Sequence, residues 1–149
     1  HSWVLFRYAE ILLNYAEAMI NAYDDCNYTN STCKMSALAA VNAVRGRNGI
    51  KMPAISGSLN ANDFLKAVKH ERRVEMAFEG QRFWDLRRWK DLNDSKDIYA
   101  VKITKEGESV NYQKTLLESR SISDKLYFYP IANTELFKNS NLIQNPGWD

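Results

Sequence analysis

Glu71, Glu75 and Glu79 recur at every fourth position in FLKAVKHERRVEMAFEGQRFWDLRRW, residues 64–89. A helix turns about 100 degrees per residue, which sets these carboxylates in the middle of an apolar arc. Phe64, Ala67, Val68, Val74 and Phe78 form that arc, Leu65, Met76 and Arg72 fall at its edge, and Lys66, Lys69, His70 and Arg73 lie opposite. A carboxylate inside an apolar arc must be neutralised, paired or used. Such a cluster can serve three chemistries. In the first it is a structural ion-pair network of Glu71, Arg72, Glu75, Glu79, Arg82, Asp85, Arg87 and Arg88, with the downstream arginines as chief partners. Arg suits this because its planar fork meets a carboxylate at two points. In the second, two carboxylates act as a hydrolase pair. That chemistry needs one carboxyl with a raised pKa, whereas so many nearby arginines hold each one ionised. In the third, the glutamates ligate a metal. Di-metal helices use Glu-x-x-His pairs, and here His70 directly precedes Glu71. The ion-pair network is the expectation, with no catalytic residue, no metal and no cofactor.

The elements that position this cluster are mainly helical. Leu5, Ala9, Leu12, Ala16, Met19 and Tyr23 share one face of a helix over roughly residues 6–23, with Glu10, Asn14, Glu17 and Asn21 opposite. A second helix over about residues 36–47 presents Ala37, Ala40, Val41 and Val44, with Ser36 as N-cap and Gly49 as stop. Its alanines permit the close approach that a tetratricopeptide-like hairpin needs, although any antiparallel helix pair would use them. Asn62 and Asp63 are expected to cap the third helix and Gly80 to end it, with a short helix following over residues 82–89. From residue 97 the period changes to two. Alternation of Tyr99, Val101 and Ile103, then Val110 and Tyr112, predicts a β-hairpin of residues 98–105 and 109–114 around Glu106, Gly107 and Glu108. Residues 125–129 read as extended. Asn133 caps a last turn around residues 135–138, and the remainder is irregular.

Composition narrows the function classes. The 149 residues carry a net charge of +2 without a long basic run, which does not suggest nucleic acid as a partner. No stretch of eighteen or so apolar residues is present, so no membrane-spanning helix is expected. This is one domain's worth of chain.

Four segments together resemble the SusD/RagB family of outer-membrane nutrient-binding lipoproteins. ERRVEMAFEGQRFWDLRRWK, residues 71–90, is similar to the family signature, and RYAEILLNYAEAM, residues 7–19, to the helix before it. ALAAVNAVRGRNG, residues 37–49, resembles a helix end of the form N-x-V-R-x-R-x-G. YPIANTELFKNSNLIQNPGW, residues 129–148, resembles the closing segment, with Ala132 where a second proline is usual. The order and spacing agree as well, and residues 24–35 and 91–125 are the main stretches left unmatched.

The resemblance implies a mainly α fold of tetratricopeptide-like hairpins with a small β-hairpin insertion and a long irregular C-terminal segment. It implies the C-terminal portion, residues 1–149 as a single domain, of a longer protein held at the bacterial surface by a lipid anchor outside this chain. Such a protein, typical of Bacteroidetes, is not an enzyme. It captures a glycan or other nutrient for a SusC-like TonB-dependent transporter in polysaccharide utilisation. The alternative is a helical protein–protein adaptor. Capture of sugars calls on aromatic platforms. Tyr8, Tyr15, Phe64, Phe78, Phe83 and Trp84 fall at core spacing, which leaves Trp3, Tyr99 and Tyr112 as ligand-binding candidates. Because the family's site draws largely on segments upstream, an incomplete site with weak affinity is expected here. In an exported protein Cys26 and Cys33, the two cysteines, are expected to form a disulfide across a polar loop, worth about 2.5 kcal/mol.

Overall fold

The computed structural model describes residues 6–148, which form two compact units, residues 6–81 and 82–148. In the first, α1 (Tyr8–Tyr23) packs on both α2 (Ala37–Arg45) and α3 (Ala61–Glu75). Leu12, Leu13, Ala16, Met19 and Ile20 of α1 meet Ala37, Ala40, Val41 and Val44 of α2 and Phe64 and Val68 of α3 in one core. The expected α2 face is buried in full. Phe64, Leu13, Val41 and Val68 are the largest fully enclosed side chains, each contributing about 1.5–3 kcal/mol. Small residues on α2 let α1 approach closely, as the sequence pattern required.

Local capping fixes the helix ends. The Ser36 hydroxyl accepts from the Ala39 amide at 3.1 Å, so the expected cap of α2 is present. At α3 the cap is Asn60 rather than Asn62 and Asp63. Its side-chain oxygen Oδ1 accepts from the Asp63 backbone amide at 2.9 Å, while its side-chain Nδ2 donates to the Asp63 carboxylate at 2.8 Å. This reciprocal pair satisfies two groups at once, which explains the earlier start. The α3 helix stops at Glu75, before the expected Gly80, because Phe78 and Gly80 both take left-handed backbone angles, with φ of 65 and 76 degrees. Phe78 is fully exposed and Val74 is exposed. The buried face of α3 is therefore rotated toward Phe64, Val68, Glu71, Arg72 and Met76.

The loop between α1 and α2 carries both cysteines. Both cysteines are free thiols, Cys26 buried and Cys33 half-buried. Cys26 belongs to the core cluster, with its sulfur 3.7 Å from the Gly57 carbonyl, and burial pushes its thiol pKa up. Cys33 is instead drawn into a turn in which the Asn30 side chain accepts from the Thr32 and Cys33 amides. Cys26 thus packs as a small core residue. A Cβ at Gly57 would lie 2.8 Å from Cδ2 of Leu38, which would have to shift to admit it.

In the second unit α4 (Gln81–Arg88) begins at the boundary between the units. It is followed by a 3-10 turn at Leu92–Ser95 and by β1 (Asp97–Glu106) paired antiparallel with β2 (Ser109–Ser119). Gly107 and Glu108 close the hairpin as anticipated, with Glu106 opposite Ser109, and the strands run longer than the alternation suggested. Residues 125–129, expected as extended, instead include a 3-10 turn at Asp124–Tyr127. Then comes α5 (Asn133–Lys138).

The closing segment acts as a clamp. The Gln144 side chain accepts from the Ile131 amide at 2.8 Å and donates to its carbonyl at 2.9 Å. Asn145 donates to the Tyr129 carbonyl. The Trp148 indole N–H lies 3.0 Å from the Lys125 carbonyl and 3.3 Å from that of Phe128. Gly147, with φ of 80 degrees, leaves room for Lys125, which a Cβ would approach to 2.9 Å. These bonds hold residues 125–131 in place. No helix among the described residues is long and apolar enough to cross a membrane.

Candidate functional site

The glutamates of α3 meet arginines as the first chemistry required, but the chief partners come from upstream. Arg45, from the end of α2, pairs with Glu71 and donates to the Pro53 carbonyl at 2.8 Å. Arg7 and Arg47 grip the two oxygens of Glu75 at 2.6 and 2.7 Å. Arg7 also reaches Glu79 at 2.8 Å and donates to the Glu75 backbone carbonyl, capping the C-terminus of α3. Arg72 is buried, donates to Asn14 at 2.7 Å and faces Glu10 at 3.9 Å. Glu10 is therefore buried rather than on the outer face of α1.

Within the first unit Glu71, Glu75 and Glu79 are thus met by Arg7, Arg45 and Arg47, which periodicity did not name. The start of α1 and the end of α2 converge on these carboxylates. Asp85 and Arg88 form a local pair at 3.0 Å within α4. Glu79, beyond the helix end, is exposed.

This cluster is poorly suited to acid–base catalysis. Burial alone would raise the Glu75 pKa, yet the hydrogen bonds and charges of Arg7 and Arg47 outweigh it and hold the carboxyl below its usual value. A proton donor needs the reverse. Among the described residues no group of His, Cys, Asp and Glu is arranged to hold a metal ion.

A different site lies wholly within the second unit. Trp84, Arg87, Arg88, Lys90, Tyr127, Phe128 and Tyr129 line a groove of about 520 Å³, within the range of small-ligand sites. Trp84, Phe83 and Tyr129 form a three-ring cluster, with centroid separations of 5.1 Å for Phe83 and Trp84, 6.0 Å for Phe83 and Tyr129, and 5.8 Å for Trp84 and Tyr129. All three rings remain substantially exposed, Trp84 at 55%. The Arg87 guanidinium stacks 3.5 Å from the Phe83 centroid and 5.7 Å from that of Tyr129. Two devices hold the walls together. The Tyr127 hydroxyl donates to the Lys90 carbonyl at 2.8 Å, and the closing-segment clamp fixes Phe128 and Tyr129.

Sequence reasoning missed this site because Phe83 and Trp84 sit at helical spacing. The buried residues of α4 are Asp85 and Leu86, which leaves the two rings outward. Of the six aromatics assigned to the core, only Phe64 is fully buried. Tyr15 is half-buried, and Tyr8, Phe78, Phe83 and Trp84 are exposed. The signal available was the "Y-F-Y" run facing a basic, aromatic α4, but no periodicity links segments so far apart.

Tyr99 and Tyr112 are both exposed on one face of the hairpin. Tyr112 lies opposite Ile103, and Lys114 sits 3.9 Å over the Tyr99 ring. Four strand positions separate the two, roughly 13 Å, so they do not make one platform. Trp3 lies outside the described residues.

Helical hairpins locked by buried ion pairs, with a small two-stranded sheet in the second unit, define a mainly α protein. The chain belongs to the SusD family, whose sequence profile matches residues 1–148. It is 29% identical over 153 residues to SusD-like protein P2 of Formosa agariphila, covering 99% of this chain and 26% of that protein. A crystal structure of a SusD-like protein from Bacteroides fragilis matches 97% of this chain with a TM-score of 0.78 at 33% identity. The match takes in 26% of that chain. A SusD-like carbohydrate-binding protein, also of Bacteroides fragilis, matches 93% with a TM-score of 0.67 at 29% identity, over 28% of its own length. The fold is the tetratricopeptide-like helical fold of these neighbours. The chain spans about a quarter of the length of the relatives it matches.

Proposed function

We propose that this chain supplies a saccharide-contact surface to a non-enzymatic nutrient-capture protein at the bacterial cell surface. Family membership supports glycan or nutrient binding, and one structural neighbour is described as carbohydrate binding. The observation that carries the reading is the groove. Exposed Trp84 and Tyr129 offer flat apolar faces to the C–H face of a pyranose, and Arg87 and Lys90 stand beside them as hydrogen-bond donors. The arginine-bound state of Glu75 supports a binding rather than a hydrolytic role. In the whole protein this surface works with a SusC-like TonB-dependent transporter, and a lipid outside this chain anchors it to the outer membrane. Tyr99, Tyr112 and Trp3 are secondary contacts in this reading.

The test is an NMR titration of the full chain with a panel of oligosaccharides, following the Trp84 indole N–H. Binding in the millimolar range is expected, and Trp84→Ala should weaken it at least ten-fold without changing the melting temperature. Binding that survives Trp84→Ala but is lost in Tyr99→Ala/Tyr112→Ala would move the site to the hairpin.

A further inference from the structure

The lining of the groove is asymmetric in charge. It contains three cations, Arg87, Arg88 and Lys90, and no carboxylate. Arg88 is balanced by Asp85. Among the described residues neither Arg87 nor Lys90 pairs with a carboxylate. Arg87 donates to the Phe83 carbonyl at 3.0 Å and stacks on the Phe83 ring, but its buried Nε has no hydrogen-bond partner. A guanidinium held by rings rather than by a carboxylate keeps its charge uncompensated, in surroundings less polarisable than water.

Lys90 adds a second, independent observation. It occupies the left-handed position that ends α4, with φ of 58 degrees, where the Asp91 amide returns to the Leu86 carbonyl at 2.8 Å. That position favours glycine. A lysine there puts a cation among the lining residues at a backbone cost. Compensation of the helix dipole accounts for basic side chains near a helix C-terminus, but not for the aromatic rings gathered around them.

We propose that the groove selects acidic oligosaccharides. The sugar ring lies against Trp84 and Tyr129, and its carboxylate or sulfate meets Arg87 and Lys90. This rests on the glycan-binding reading above and narrows it to a ligand class.

The experiment titrates the full chain at low salt with three size-matched oligosaccharides: a neutral one, an oligogalacturonate and a sulfated galactan fragment. A polyglutamate peptide of equal charge serves as control. At least one acidic sugar should bind ten-fold or more tighter than the neutral one. Added salt should narrow that ratio, and Lys90→Gln, at an exposed position, should reduce it about three-fold. Arg87→Gln should remove most of the preference. The stronger of the two acidic arms identifies the anion. Equal affinity for neutral and acidic sugars would overturn the proposal while leaving glycan binding intact. Polyglutamate binding as tightly as the acidic sugars would also overturn it. Binding of no sugar at all would overturn both readings.

Discussion

The glutamate–arginine cluster of the first unit and the aromatic groove of the second both concentrate arginines, with opposite consequences. In the first, Arg7, Arg45 and Arg47 are matched to Glu71, Glu75 and Glu79. Charge and hydrogen-bonding capacity are consumed internally, and helix ends from three elements are tied together. In the second, Arg87 leans on rings and Lys90 stands without a carboxylate. The same residue type is structural where a carboxylate meets it in the interior. Where an aromatic face holds it at a groove, its charge has no carboxylate to match it among the described residues. Burial of the partner carboxylate, not the density of arginines, separates the two.

Breaking the matched side of this comparison should have the largest effect. Glu71→Ala leaves Arg45 unpaired in a mostly buried setting and should destabilise the chain by about 3 kcal/mol in urea denaturation. A loss under about 1 kcal/mol would place the cluster with exposed surface pairs instead. Loosening the groove should be milder. Gln144→Ala removes both bonds to Ile131 and should lower stability by about 1–2 kcal/mol. It should also weaken saccharide binding, because Tyr127, Phe128 and Tyr129 lose their support. Unchanged binding in that variant would separate the clamp from the groove.

The smallest effect depends on pH. The folded-state pKa of Glu75 lies below its ordinary value of 4.5. Its contribution is therefore present above that value and is lost as pH falls through the lower folded one. Stability measured across the acid range should decline below about pH 4.5, and Glu75→Gln should flatten that decline. An unchanged acid limb would assign the loss to other carboxylates.

Much of the helical unit was legible in the chain. The buried face of α2, the Ser36 cap, the β-hairpin turn at Gly107 and the need to pair Glu71 and Glu75 all follow from local spacing and side-chain chemistry. Such properties depend on residues a few positions apart, and a sequence displays these directly. The four motif segments also carried the family. Tertiary structure decided what those motifs touch. Arg7, Arg45 and Arg47 reach Glu71, Glu75 and Glu79 across 26 to 72 positions, and nothing in a periodicity names such partners. Glu10 turns inward only because Arg72 awaits it there. Cys26 packs into the core. Trp84 and Tyr129 become one surface only after Gln144, Asn145 and Trp148 clamp residues 125–131 in place. Local physics dictates which face of a helix is apolar. Which charge meets which, and which rings stay open, depends on where distant segments come to rest.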